Sequence, residues 1–494
     1  MNLKKLLSPL FSFFLFAVFL FSSAFAQQMP FAKPNVPVSG HDRVYSADQT
    51  SNTVDVIDPS TNKSLGVIKL GDPVPAALAP LYKGALLVHG LGYSPDSQTL
   101  AVISIASNSV TLIDPATNKV KGTIYVGRSP HEAFFTPDGK ELWVSVRGEN
   151  YISVIDPAQM KEVRRIEVAN GPGMTMFGPD GKYAFVCSSF SPEIDVIDVK
   201  SYQVANKLMQ GSPFCPNIAV TPENDEVWLT LKDSGKTQVI DARPPFATKV
   251  IFETGQITNH VTFADNAAGK FAYITIGGQN EVKVFRRGTN PPELVATIPT
   301  GELPHGIWPA GDGSRVYVAL ENGGAVIAID TASNKVIASI PIGQTAQALV
   351  YVPNAVPQGT GTDNLTPLGE TANSAKFDLV SASADTPKAH ASATVNSLGA
   401  LDLVEVAVAN LTPKSQFKLC VAESDHAPFG KVECLAVIKT NVEGSGIAQS
   451  IGPLKAVANT SQSAGAPQAR RYLVVTDQND TTKIVLKPGP AKQQ

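Results

Sequence analysis

The chain is poor in charge. Of its 494 residues only 17% are Asp, Glu, Lys or Arg, and the formal net charge is −3. No basic surplus exists to neutralise a phosphate backbone, so nothing indicates a nucleic-acid partner held by bulk electrostatics. Short catalytic spellings are missing as well. There is no GxSxG, no HExxH, no P-loop and no GxGxxG placed after a strand, the patterns of a serine hydrolase, a zinc protease or a nucleotide site. CxxC and CxxCH are also absent, which disfavours thioredoxin-type redox chemistry and covalent haem attachment. An enzyme stays open, because a ring of repeats assembles a site from residues far apart in the chain. Beyond the N-terminal residues no segment is apolar for long enough to span a bilayer.

What is present starts at the N-terminus. Lys4 and Lys5 precede an apolar run over residues 6–21, and Ala24-Phe25-Ala26 closes it. A basic region, an apolar region and an A-x-A site spell a signal peptide over residues 1–26, cleaved after Ala26, rather than a retained anchor. The mature chain is expected in the periplasm or outside the cell, where its four cysteines meet oxidising conditions. Cys187 and Cys215 fall in neighbouring repeats near the same end. Cys420 and Cys434 lie 14 residues apart in strand-like runs, as in a hairpin. Two local disulfides are the expectation, with buried free thiols as the alternative.

One short motif recurs seven times: NTVDVID (52–58), NSVTLID (108–114), NYISVID (150–156), PEIDVID (192–198), GKTQVID (235–241), NEVKVFR (280–286) and GAVIAID (324–330). Successive motif ends lie 56, 42, 42, 43, 45 and 44 residues apart. Thirteen positions before each end stands Tyr45, Ala101, Trp143, Phe185, Trp228, Tyr273 or Tyr317. A period in the low forties built from short alternating strands is that of a β-propeller blade. The aromatic series reads as blade packing, and the aspartates at the motif ends as caps on the following turn. The first repeat opens at its second strand near Val44-Tyr45, and the last supplies a lone first strand over 348–352. The two pieces complete one blade, so seven blades close into a ring spanning residues 40–353 with no open sheet edge.

At these residues a family comes into view. VYSA (44–47) and VYVA (316–319), each before an NxVxVID-like stretch, with TIYVG (123–127) and ATIPTG (296–301), resemble YVTN-type propeller repeats. The bacterial YncE-like proteins are the nearest type, and the resemblance covers about residues 40–355. It implies exported or surface propellers, many without an assigned reaction. One repeat departs from the pattern, with Phe285-Arg286 where the others carry Ile-Asp.

Residues 354–376 are rich in Pro, Gly, Thr and Asn and read as a linker. Residues 377–488 alternate in runs such as LDLVEVAVANL (401–411), and a small antiparallel β-sandwich serving attachment or recognition is expected there. The whole is thus an all-β protein, a seven-bladed propeller with a C-terminal sandwich-like domain.

Histidine is the one constellation with chemistry in it. Counting back from each inner-strand turn gives His89, His131, Gly173, Pro216, Asn259, His305 and Gln347, with His260 one step off. These positions form a ring at one mouth of the channel, so His89, His131, Asn259, His260, His305 and Gln347 are the candidate ligand-binding residues. His89, His131 and His305 are also candidate ligands of a divalent Zn or Cu ion with an open position. Glu132 is then a supporting partner or general base. The plain alternative is that these imidazoles bond loop carbonyls, as the wording PHE (130–132) and PHG (304–306) suggests. An apolar insertion over 73–87, just before His89, is placed to cap the channel or dock a partner. Two functions follow. The favoured one is an exported binding or scaffold module for a protein or small-molecule ligand. The other is a metal-dependent enzyme, lactonase- or lyase-like or a copper redox centre. The sequence sets no oligomeric state.

Overall fold

The thirteen-residue spacing is a pairing rule. Tyr45 faces Val56 across a ladder, Trp143 faces Val154, Trp228 faces Val239 and Tyr317 faces Ala328. Six of the seven repeats therefore set a bulky side chain on the second strand against a small or branched one on the third; in blade 2 the order is reversed, Ala101 facing Leu112. The computed structural model describes residues 37–71, 86–369, 374–397, 401–454, 457 and 470–490. The signal peptide expected at 1–26 and nearly all of the insertion at 73–87 fall on residues outside the described ones.

Seven four-stranded antiparallel sheets form the propeller. Blade 1 runs Ala346–Val352, Arg43–Asp48, Thr53–Asp58, Lys63–Lys69. Blades 2 to 7 occupy residues 88–125, 130–167, 172–209, 218–253, 258–299 and 304–341. Ala346–Val352 arrives from the far end of the array and pairs along Arg43–Asp48, so the ring closes by strand exchange. Trp143, Trp228, Tyr45, Tyr273 and Tyr317 are fully buried. The Tyr45 hydroxyl donates to the Pro115 carbonyl of the next blade at 3.5 Å, and Tyr317 to Pro59 at 3.3 Å. The motif aspartates accept from the turns after them: Asp58 from the Ser60 amide, Asp156 from Ala158, Asp330 from Ser333.

The C-terminal region is the expected sandwich-like domain, formed by one antiparallel sheet of eight strands that nearly closes on itself. Its order is Val432–Lys439, Gln416–Ala422, Tyr472–Asp477, Ile484–Pro488, Ser374–Ser381, His390–Ser397, Asp402–Ala409, Gly446–Gly452. The two edge strands approach, Ser450 Oγ donating to the Leu435 carbonyl at 3.1 Å, so the sheet is nearly closed around its own core. The stretch joining the domains is fastened to the propeller. Thr366 bridges Val67, and Asn118 Nδ2 donates to the carbonyls of Gly361 and Asp363. Cys187 is bonded to Cys215, tying blade 4 to the loop entering blade 5, and Cys420 to Cys434 across a hairpin. Among the described residues no helix is long and apolar enough to cross a membrane.

Candidate functional site

The inner strands begin earlier than their alternation suggests, because all but that of blade 5 are broken by a bulge. Register slips between Val88 and Leu91, Pro130 and Ala133, Thr258 and Val261, and Pro304 and Ile307. The extra residue falls within His89-Gly90, His131-Glu132, Asn259-His260 and His305-Gly306. A bulge re-aims side chains and interrupts the period of two on which strand reading depends. It also explains why His260 stands one step off, since it takes the second bulge position where Glu132 stands in blade 3. Gly90 has a steric reason: a Cβ there would lie 2.2 Å from the His131 carbonyl oxygen.

The four imidazoles form one row. Ring centroids are 4.4 Å apart for His89 and His131, 6.5 Å for His89 and His305, and 4.6 Å for His260 and His305. His131 Nδ1 lies 2.6 Å from the Gly173 carbonyl and His305 Nδ1 2.8 Å from that of Gln347. Asn259 Nδ2 likewise donates to Pro304 at 2.8 Å. Each of these bonds reaches the inner strand of the next blade, so at these atoms the ring residues stitch blades together. A carbonyl only accepts, which puts the proton of neutral His131 and His305 on Nδ1 and leaves Nε2 as the basic nitrogen. His89 Nδ1 and His260 Nε2, by contrast, are buried without a hydrogen-bond partner. Gln347 Nε2 donates to Glu321 Oε1 at 2.8 Å. Among the described residues no three His, Cys, Asp or Glu side chains are grouped as ligands of one metal ion.

Burial disfavours charge on all four rings. His89, His131 and His260 are held well below the usual imidazole range, and His305 at about 3. Nearby Arg147, Lys232 and the other imidazoles add to the effect. Glu132 moves the opposite way. Burial pushes it up to about 8, so at neutral pH it carries a proton. In that state its carboxyl can donate a hydrogen bond. Below it the channel narrows to a cavity of about 10 Å³ between Glu132, His260, Asn217 and Trp308, room for a single water at most.

A second tier surrounds the row. Arg147, Lys232 and Glu321 follow Trp143, Trp228 and Tyr317 by four positions, where the second strand turns into the third. The Arg147 guanidinium lies over Phe190 at 5.5 Å and Phe214 at 5.3 Å, and the Lys232 ammonium over Phe214 at 5.8 Å. Phe214 is next to Cys215, whose disulfide to Cys187 anchors its loop. Sequence reasoning missed these groups, although a step of four from the packing series reaches them.

The C-terminal domain covers this mouth. Its strands His390–Ser397 and Asp402–Ala409 turn one face into their own core and the other onto the propeller loops. Thr394 Oγ1 donates to the Asn322 carbonyl at 3.0 Å, Asn396 Nδ2 to Thr345 Oγ1 at 3.0 Å, and His390 Nε2 lies 2.9 Å from the Gly278 carbonyl. Gln256 Nε2 donates to Asn410 Oδ1 at 3.2 Å, and Ala407 joins Ile257 and Leu303 in a small apolar cluster. Between the domains Glu405 and Glu321 share a hydrogen bond, both fully buried and both raised by burial, Glu405 to about 8. The result is a polar layer between the domains, with the imidazole row and Lys232 on the propeller side and the Glu405 carboxyl group facing them.

Residues 74–354 match the family described as YNCE-like beta-propeller. No curated protein matches the chain significantly. Among solved structures, hydrazine synthase of Kuenenia stuttgartiensis is 22% identical over 57% of this chain and 91% of its own, with a TM-score of 0.49. A functionally unknown protein from Desulfotomaculum acetoxidans DSM 771 is 14% identical over 62% of this chain and 98% of its own, with a TM-score of 0.52. The second likeness is one of fold alone, and neither bears on function.

Proposed function

As the chain belongs to the YNCE-like β-propeller family, we propose that it is an exported, non-catalytic binding protein that holds a small polar ligand between propeller mouth and C-terminal domain. The observation that carries this is a convergence of buried polar atoms without partners. His89 Nδ1, His260 Nε2 and Arg147 Nε are such atoms and lie in one neighbourhood, with Arg147 acting on His89 and Lys232 on His260. Each buried, unsatisfied group costs about 1–3 kcal/mol, and a solute of complementary polarity relieves several at once. The C-terminal domain already occupies the loops that a protein partner would use, which favours a small ligand over a protein at this mouth. Imidazoles held far below neutrality are weak bases at pH 7, which favours binding over acid–base catalysis. Export rests on Lys4, Lys5, the apolar run and Ala24-Phe25-Ala26.

The test is to purify the chain from its native compartment, release its small molecules by denaturation and weigh them, with elemental analysis in parallel. A stoichiometric polar solute, lost in His89→Ala/His305→Ala, is the expected result. One Zn or Cu per chain and no other solute would turn the reading towards the metal enzyme. A chain that carries nothing would count against a ligand site.

A further inference from the structure

The polar layer contains two cations that no carboxylate contacts. Among the described residues neither the Arg147 guanidinium nor the Lys232 ammonium has an ion-pair partner, and the Arg147 Nε atom is buried without a hydrogen bond. Burial lowers the proton affinity of both groups, so both are partly stripped of water. Both face Phe214, the guanidinium at 5.3 Å and the ammonium at 5.8 Å from its ring centre. Nearby acids cancel them only in part, Glu321, Glu405 and Asp233 acting on Lys232 and none on Arg147. Glu321 and Glu405 hold one proton between them, Glu132 is protonated at neutral pH, and Glu321 is engaged by Gln347. His89 Nδ1 and His260 Nε2, on rings only 6% exposed, remain unpaired beside the cations.

We infer that the ligand of this layer is a small oxyanion, a carboxylate- or phosphate-bearing solute whose oxygens bridge Arg147 and Lys232 across the face of Phe214. The inference rests on the layer being a ligand site and adds the class of ligand. A guanidinium offers a planar fork of donors that matches two oxygens of one group, and the ammonium takes a further oxygen as a point charge. The aromatic rings fix the guanidinium without neutralising it. Neutral imidazoles donate or accept as the rest of the solute requires. The C-terminal domain's hydrogen bonds fall on loops of blades 6, 7 and 1. Phe190, 55% exposed in blade 4, marks the other side of the mouth as the way in.

Isothermal titration of the mature full-length chain at low ionic strength, with inorganic phosphate, succinate and citrate as probes and sorbitol as the uncharged control, tests this. Binding of an anion and not of sorbitol is expected, weakened about tenfold or more in Arg147→Gln and in Lys232→Gln, as the loss of a charge-assisted hydrogen bond implies. Arg147→Lys, which keeps the charge and loses the fork, should fall between. Heat from phosphate alone assigns a phosphate site, and heat from the two acids a carboxylate site. No heat from any anion, or equal affinity in both Gln variants while Arg147→Lys also behaves as wild type, overturns the inference. If the chain has meanwhile released a neutral solute, only the oxyanion class falls; if it has released none, the ligand site falls with it.

Discussion

Glu321, in the hairpin of blade 7, and Glu405, on the C-terminal domain, meet across the domain boundary and share a hydrogen bond. Two carboxylates cannot do this, so one of them carries a proton. The contact that seats the lid is therefore a proton-holding one, with Lys232 close enough to moderate it.

Docking of the lid should weaken with rising pH. Glu405 is raised from 4.5 to about 8 by burial, so the seated state binds a proton that the separated state releases between those values. Stability of the contact is then greatest at the acid end of that window and is lost as pH rises through it. Hydrogen exchange on residues 390–409 between pH 5 and 9 should show protection falling towards pH 8, and Glu405→Gln should flatten the profile. An unchanged profile in Glu405→Gln would contradict the shared proton.

The propeller itself should respond in the opposite sense. His89, His131, His260 and His305 titrate below 6.5 when folded, His305 at about 3, so unfolding takes up protons as pH falls. Their neutral burial costs nothing extra above pH 6.5, and stability is lost progressively as pH drops from there. Urea midpoints of the full-length Glu405→Gln chain, in which the opposing carboxyl is removed, should decline from pH 7 to pH 4. His131→Asn should reduce that slope.

Truncating a ring histidine is costly. His131 is only 3% exposed and its Nδ1 joins blade 3 to blade 4. His131→Ala should lose roughly 1–3 kcal/mol from the unsatisfied Gly173 carbonyl and the space left behind. Gly90→Ala should cost a similar or larger amount, about 2 kcal/mol or more, because its Cβ has no room beside the His131 carbonyl. Guanidinium unfolding of both variants at pH 7 measures this.

Removal of Ala346–Val352 should abolish a single cooperative transition. That strand supplies the inner edge of blade 1, and its Tyr351 hydroxyl bonds Asp42. A nick at Gly359, in contrast, should leave the propeller transition intact, because the severed stretch remains tied to it through Asn118 and Arg43. Calorimetry of the deleted and the nicked chains separates the two outcomes.

The architecture could be read from sequence where the signal repeats. Seven copies of one motif and a fixed offset to a bulky residue leave little choice but a ring, and counting from the turns reached His89, His131 and His305. What could not be read depends on contacts that do not repeat. Arg147, Lys232 and Glu321 share a position but differ in charge from blade to blade, so no pattern draws the eye to them. Glu405 lies in an alternating run with Val404 and Val406 turned to the core. Alternation alone assigns it to solvent, and only docking on the propeller buries it. The bulges hid the true start of the inner strands for the same reason, since an inserted residue erases the period that marks a strand.

Blade 1 borrows its inner strand from residues 346–352, and the lid begins beyond it at Ser374. A chain growing from its N-terminus thus finishes an open-mouthed ring before its cover has been made. At about 5–20 residues per second the interval lasts on the order of ten seconds. Throughout it the row of imidazoles faces the surroundings without a roof.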